Sequence, residues 1–307
     1  MSDSLYPFIS HTFTTAGATG REGPTLSQVK NAYSFPSASW TQNTDFLNMV
    51  RQGIQEWKVP VTGNYTIQAV GAAGGNSQNF GRGRNISLNT TLQKGDVIKI
   101  LVGQQGSTGL AKGGGGGGGS FVVKDVSYAI IVAGGGGGIG SWSTSEYINS
   151  NASLSTTGNK GGDGSITNGN GGINGEGGAA ATQGYGSGGG GLLGNGGNAY
   201  LNGSVGGMSF IAGGLGGTAA PGWPTHGGFG GGGGAMGAGG GGGGGGYSGG
   251  GGTSNAVEHP SGGGGSSYSN ITNFIDNGAI NTGHGSVTIT LNTPITPTTT
   301  KCNDDSK

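Results

Sequence analysis

Apolar and polar residues alternate with a period of two in several short stretches of this chain. Ile54-Gln55-Glu56-Trp57-Lys58-Val59 has the pattern of a half-buried strand. Pro60-Val61-Thr62-Gly63-Asn64 then has the composition of a turn, and Tyr65-Thr66-Ile67-Gln68-Ala69-Val70 alternates again, so the two stretches predict a hairpin. Asn85 to Leu92 repeats the pattern through Ile86, Leu88, Thr90 and Leu92, and Val97-Ile98-Lys99-Ile100-Leu101-Val102 follows a Lys94-Gly95-Asp96 turn. Ser120-Phe121-Val122-Val123-Lys124 and Tyr128-Ala129-Ile130-Ile131-Val132-Ala133 are short and β-branched, and Ser286-Val287-Thr288-Ile289-Thr290-Leu291 is a late alternating strand. Asp45 to Gln52 has room for two helical turns; no other helix is compelling. A lone hairpin is marginal in water, so the late strand is expected to return to the N-terminal sheet.

Composition changes this picture. Of 307 residues, 81 are glycine, about four times the usual share. Residues 1–112 and 267–292 read as one β-sandwich, 113–266 as a glycine-rich insertion, and 293–307 as a Thr/Pro tail. Glycine loses more backbone entropy on folding than any other residue, so a flexible linker is the plain reading of such runs. Yet the runs recur, and the spacers between them carry Trp142, Leu192, Leu193, Phe210, Ile211, Trp223, Phe229 and Tyr247, which linkers lack. The ordered alternative is a set of polyglycine II helices. Such a helix has three residues per turn and no internal hydrogen bonds, so its N–H and C=O groups must bond to neighbouring segments. The spacing is not the strict Gly-X-Y of collagen, so a triple helix is not indicated.

Charge narrows the functional classes. Thirteen basic and thirteen acidic residues give a net charge of zero; neither nucleic acid nor an anionic membrane is expected as a partner, because both need concentrated basic charge. No apolar run reaches the ~18 residues of a membrane span, so no membrane insertion is expected. The N-terminus has neither the basic start nor the apolar stretch of a signal peptide. Cys302 is the only cysteine, which excludes an internal disulfide and predicts an unpaired thiol in the tail. There is no phosphate-binding loop motif, and the Asp of Gly161-Gly162-Asp163-Gly164 does not recur as a calcium repeat would. His11, His226, His259 and His284 lack metal-ligand spacing and are expected to face solvent, and no nucleophile stands at recognisable spacing from a base. No catalytic residue, cofactor or metal site is expected. Asn64, Asn85, Asn89, Asn151, Asn202 and Asn270 each begin an Asn-X-Ser/Thr triplet, frequent by chance in such a composition and unmodified without a leader. The spacers at 141–160, 219–226 and 253–260 hold the candidate recognition residues Trp142, Tyr147, Trp223, His226 and His259, because loops on a rigid scaffold commonly carry function. The competing reading is that these aromatics cap the ends of the glycine segments.

Several motifs in order carry a specific resemblance. They are Phe13-Thr14-Thr15-Ala16-Gly17-Ala18-Thr19-Gly20-Arg21-Glu22-Gly23-Pro24-Thr25, Asn31-Ala32-Tyr33, Gly53 to Pro60, Tyr65 to Gly75, and Ile100-Leu101-Val102-Gly103-Gln104-Gln105-Gly106. The Gly113 run with Phe121, Ile130 to Gly134, Gly227-Gly228-Phe229 and Gly283-His284-Gly285-Ser286-Val287 complete the set. Together they resemble the glycine-rich extracellular region of the anaplastic lymphoma kinase and leukocyte tyrosine kinase receptors. The resemblance implies an all-β fold, a tumour-necrosis-factor-like jelly-roll antiparallel sandwich with an inserted polyglycine II helix bundle. It also implies a non-enzymatic module, since in the receptors this region binds a cytokine. Ala16 and Val29 stand where the receptors carry cysteines. With no leader and no disulfide, the expected setting is a virion surface. There the chain would be a structural protein or adhesin whose partners are other virion proteins or copies of itself, and a host surface protein or glycan. The alternative is a secreted or cell-surface ligand-binding domain of a receptor-like protein.

Overall fold

A computed structural model describes residues 4–75, 80–109, 113–125, 127–140, 148–162, 167–199, 203–236, 239–254 and 261–295. The strands are β1 (Ser10–Phe13), β2 (Leu47–Arg51), β3 (Ile54–Lys58), β4 (Gly63–Val70), β5 (Gly83–Leu92), β6 (Val97–Leu101), β7 (Ser120–Lys124), β8 (Tyr128–Ala133), β9 (Tyr268–Ser269), β10 (Phe274–Asn281) and β11 (Ser286–Pro294). They form two antiparallel sheets. The first has the order β1-β11-β4-β5-β10 and the second β2-β3-β6-β7-β8-β9. Residues from both sheets share one core, including Phe13, Tyr65, Ile67, Ile86 and Val287 from the first and Trp57, Ile98, Ile100, Val122 and Ile131 from the second. The molecule is an all-β sandwich, and the late strand β11 returns to the N-terminal sheet as expected, where it lies beside β4.

Two sequence expectations are overturned. The stretches at 54–59 and 65–70 do not form a hairpin, because β3 pairs with β2 and β6 while β4 pairs with β11 and β5. The segment containing Pro60 carries the chain from one sheet to the other. Period-two alternation marks a strand with one buried face but does not say which neighbour it takes. Asp45 to Gln52 is not helical either; Leu47–Arg51 is the edge strand β2. A helix that the sequence reading missed, α1 (Leu26–Ala32), starts at Thr25. The Thr25 side chain accepts from the Gln28 N–H, and the Gln28 side chain accepts from the Thr25 N–H, a reciprocal capping box.

The second sheet is covered on both faces, so its inner strands read as apolar runs rather than alternating ones. Ile54, Leu101, Phe121, Val123 and Val132 point away from the first sheet and pack on Leu192, Phe210 and Phe229 of the glycine-rich region. The glycine segments continue directly from the strands: 71–75 follow β4, 103–107 follow β6, 113–119 lead into β7, and 134–139 follow β8.

These segments are neither helix nor strand, yet their backbone bonds are regular. In the run 114–119, Gly114 and Gly117 donate to Ile139 and Gly136 (2.9 and 2.8 Å). Gly115 and Gly118 donate to Ser107 and Gln104 (3.0 and 2.9 Å), and Gly116 and Gly119 to Gly233 and Gly230 (both 2.9 Å). Every third N–H therefore faces the same neighbouring segment, with the acceptor moved back by three. The carbonyls recur with the same period of three: Gly115 and Gly118 accept from Gly75 and Ala72, where the donor moves back by three, and Gly114 and Gly117 from Gly242 and Gly245, where it advances by three. The approach leaves no room for a side chain, since a Cβ on Gly114 would lie 1.6 Å from the Gly75 carbonyl oxygen.

Candidate recognition site

Of the five candidate recognition residues, Trp142, Tyr147 and His259 lie outside the described residues. Trp223 and His226 share one loop between neighbouring glycine segments. Its base is fastened where the Thr225 hydroxyl donates to the Ala235 carbonyl (2.6 Å) and the Ala235 N–H donates to the Thr225 carbonyl (3.1 Å). Its tip is a turn in which the Trp223 N–H donates to the Ala220 carbonyl at 3.0 Å. Gly222, at φ +81°, occupies the left-handed region that this turn needs. Trp223 is half-exposed, and Pro221, Gly222 and Pro224 around it are exposed. His226 instead faces the scaffold. Its Nδ1 accepts from the Ala219 N–H (3.0 Å), and its carbonyl accepts from the Ser107 N–H (2.9 Å). Burial, and then the positive charge of Arg21, hold its pKa below the usual histidine value, so the imidazole serves as a neutral acceptor.

A second surface was not visible in the sequence. Val50, Arg51, Ile54, Glu56, Lys99, Phe210 and Ile211 line a cleft of about 220 Å³, where the second sheet meets the glycine-rich layer. Arg51 Nη1 donates to the Ile211 carbonyl at 2.9 Å and joins the two layers. Val50 is 80% exposed and Ile211 43%. An apolar floor with charged residues at its rim suits a protein contact better than a small polar ligand. Phe210 and Ile211 stood out as unusual spacers, but only the fold brings them to β2 and β3, more than 150 residues earlier in the chain. Among the described residues, no group of three or more His, Cys, Asp or Glu is placed to hold a metal ion. No described helix is long and apolar enough to cross a membrane.

No family model matches the chain. Over 105 residues it is 42% identical to the leukocyte tyrosine kinase receptor of Mus musculus. The two are related over this stretch. It covers 33% of the chain and 12% of the receptor, so most of the receptor has no counterpart here. The relation favours the expectation of a cell-surface ligand-binding domain over that of a virion-surface structural protein or adhesin.

Proposed function

We propose that this chain is an extracellular, non-enzymatic module that binds a protein ligand. The observation that carries this reading is the 42% identity over 105 residues to a receptor. The motifs that carry the sequence resemblance are those of a glycine-rich extracellular region rather than of a catalytic domain. The half-exposed Trp223 loop and the Arg51–Ile211 cleft are the contact surfaces in this proposal, because both set apolar groups on rigid supports. The scaffold behind them is, in this reading, a polyglycine II bundle. Its support is the three-residue recurrence of hydrogen-bond partners, the period of a three-residue-per-turn helix.

The test is a titration of the purified chain with the secreted cytokine ligand of the leukocyte tyrosine kinase receptor. Saturable binding is expected, weakened by about tenfold or more in Ile211→Asp or Trp223→Ala, the loss of roughly one good interfacial contact. Absence of saturable binding to the folded chain would overturn the reading. Unchanged affinity in both variants would move the contact elsewhere.

A further inference from the structure

Three of the Asn-X-Ser/Thr triplets converge on one face of the fold. Asn64 and Thr66 on β4, and Asn85, Ser87, Asn89 and Thr91 on β5, all point outward from the first sheet, away from the core residues Tyr65, Ile67, Ile86 and Leu88. Two of the triplets are interlocked. Asn64 lies opposite Thr91 and Thr66 opposite Asn89. The Thr91 hydroxyl donates to Asn64 Oδ1 (2.8 Å), and the Thr66 hydroxyl donates to Asn89 Oδ1 (2.6 Å). Each amide is therefore held by its oxygen, while its Nδ2 carries no hydrogen bond among the described residues. Both asparagines are exposed, and they border an open depression of about 520 Å³ with Thr90, Thr91, Asn292 and Thr293.

The other described triplets differ. Asn151 sits within the glycine network, where its Oδ1 accepts from the Arg82 N–H (2.7 Å) and its carbonyl lies 2.2 Å from where a Cβ on Gly264 would stand. Asn270 donates through Nδ2 to the Tyr128 hydroxyl at 3.3 Å. Asn85 is half-buried, its Oδ1 accepting from Gln68 at 3.1 Å and Asn277 at 3.4 Å, and β10 runs alongside. β10 begins opposite Leu88, one residue short of Asn89, and so leaves the Asn64–Asn89 end of the face open.

We propose that Asn64 and Asn89 are acceptor sites for N-linked glycans, which cover the outward face of the first sheet. The proposal rests on the extracellular reading above. The donor is a polyprenyl-diphosphate-linked oligosaccharide. The amide nitrogen bonds to the sugar's anomeric carbon, the bond from that carbon to the diphosphate oxygen breaks, and the polyprenyl diphosphate leaves as the amide gives up one proton. Glycans on this face leave the opposite side of the sandwich, with the Arg51–Ile211 cleft and the glycine-rich layer, as the side open to a protein ligand.

The experiment secretes the full chain from animal cells behind an added leader and maps occupied asparagines by peptide mass spectrometry before and after peptide N-glycosidase treatment. Occupancy at Asn64, Asn89 or both is expected. It should be lost site by site in Asn64→Gln and Asn89→Gln, and in Thr66→Val and Thr91→Val, which keep the asparagine but remove the hydroxyl its modification needs. A secreted, folded chain with neither asparagine modified overturns the inference, including one modified only at Asn151. Cytokine titration of the same samples separates the two proposals. Binding without glycans defeats this inference and leaves the functional reading standing, whereas glycans without binding do the reverse.

Discussion

The rings of Phe13, Tyr33, Phe35 and Trp40 surround the imidazole of His11, with centroids at 4.7, 4.5, 6.3 and 5.2 Å. The residue is 5% exposed, and its Nε2 has no hydrogen-bond partner among the described residues. Burial pushes its pKa down from 6.5 to about 4. Between those values the unfolded chain binds a proton that the folded chain does not, so stability is fully present above pH 6.5 and drains away as the pH falls to about 4. The loss from this one group is roughly 3 kcal/mol over that window. Urea unfolding at neutral pH and near pH 4.5 should show the drop, and His11→Phe should flatten it; an unchanged slope would exclude His11 as the cause. From sequence, His11 is expected to face solvent without binding a metal, and its burial among these rings overturns the first part. Its aromatic surroundings come from β1, the end of α1 and the turn containing Trp40, which become neighbours only when the sheet closes over them. Trp57, by contrast, was readable as an inward residue, because it sits on an alternating strand.

At the scale of elements, the strands with one buried face were legible, and so was the return of β11 to the N-terminal sheet. Pairing was not, since the same alternation fits a hairpin and a crossing between sheets. The start of α1 is written in the sequence: Thr25-Leu26-Ser27-Gln28 is a capping-box pattern, though a weaker signal than the strand alternation. Thr25→Ala should cost about 1 kcal/mol in denaturant unfolding, the usual loss of an N-cap. The order of the glycine segments was inferred from aromatic spacers rather than from the glycines, because a run of one residue type carries no register. Adding a methyl group reads that order directly. A Cβ on Gly116 would lie 2.0 Å from the Gly243 carbonyl oxygen, whereas one on Gly283 would meet nothing within 4 Å. Gly116→Ala should therefore destabilise by about 3 kcal/mol or more, and Gly283→Ala by less than about 0.5 kcal/mol, in matched melts. Equal effects would mean that the run around Gly116 is not packed in solution.

Across the whole molecule, the glycine-rich layer and the sandwich share a hydrophobic seam. Phe229 is fully buried there with Leu101, Phe121 and Val132, and the Cα atoms of Gly23 and Gly53 crowd its ring so closely that neither could carry a Cβ. Phe229→Ala should cost about 3–5 kcal/mol, as buried aromatic truncations do. Because the seam joins both layers, fluorescence and amide exchange should report one lowered transition rather than separate melting of the glycine region. The recognition surfaces were the least legible part, for the Arg51–Ile211 cleft joins residues that are distant in sequence and unremarkable one by one. The three-residue recurrence of partners along 114–119 has a further consequence. Each run behaves like a text with a reading frame. Deleting one glycine turns every later amide by a third of a turn toward the wrong neighbour, while deleting three shortens the run and returns each amide to its own. Among natural variants of this layer, length changes inside the runs should come in threes, and other lengths should collect in the spacers.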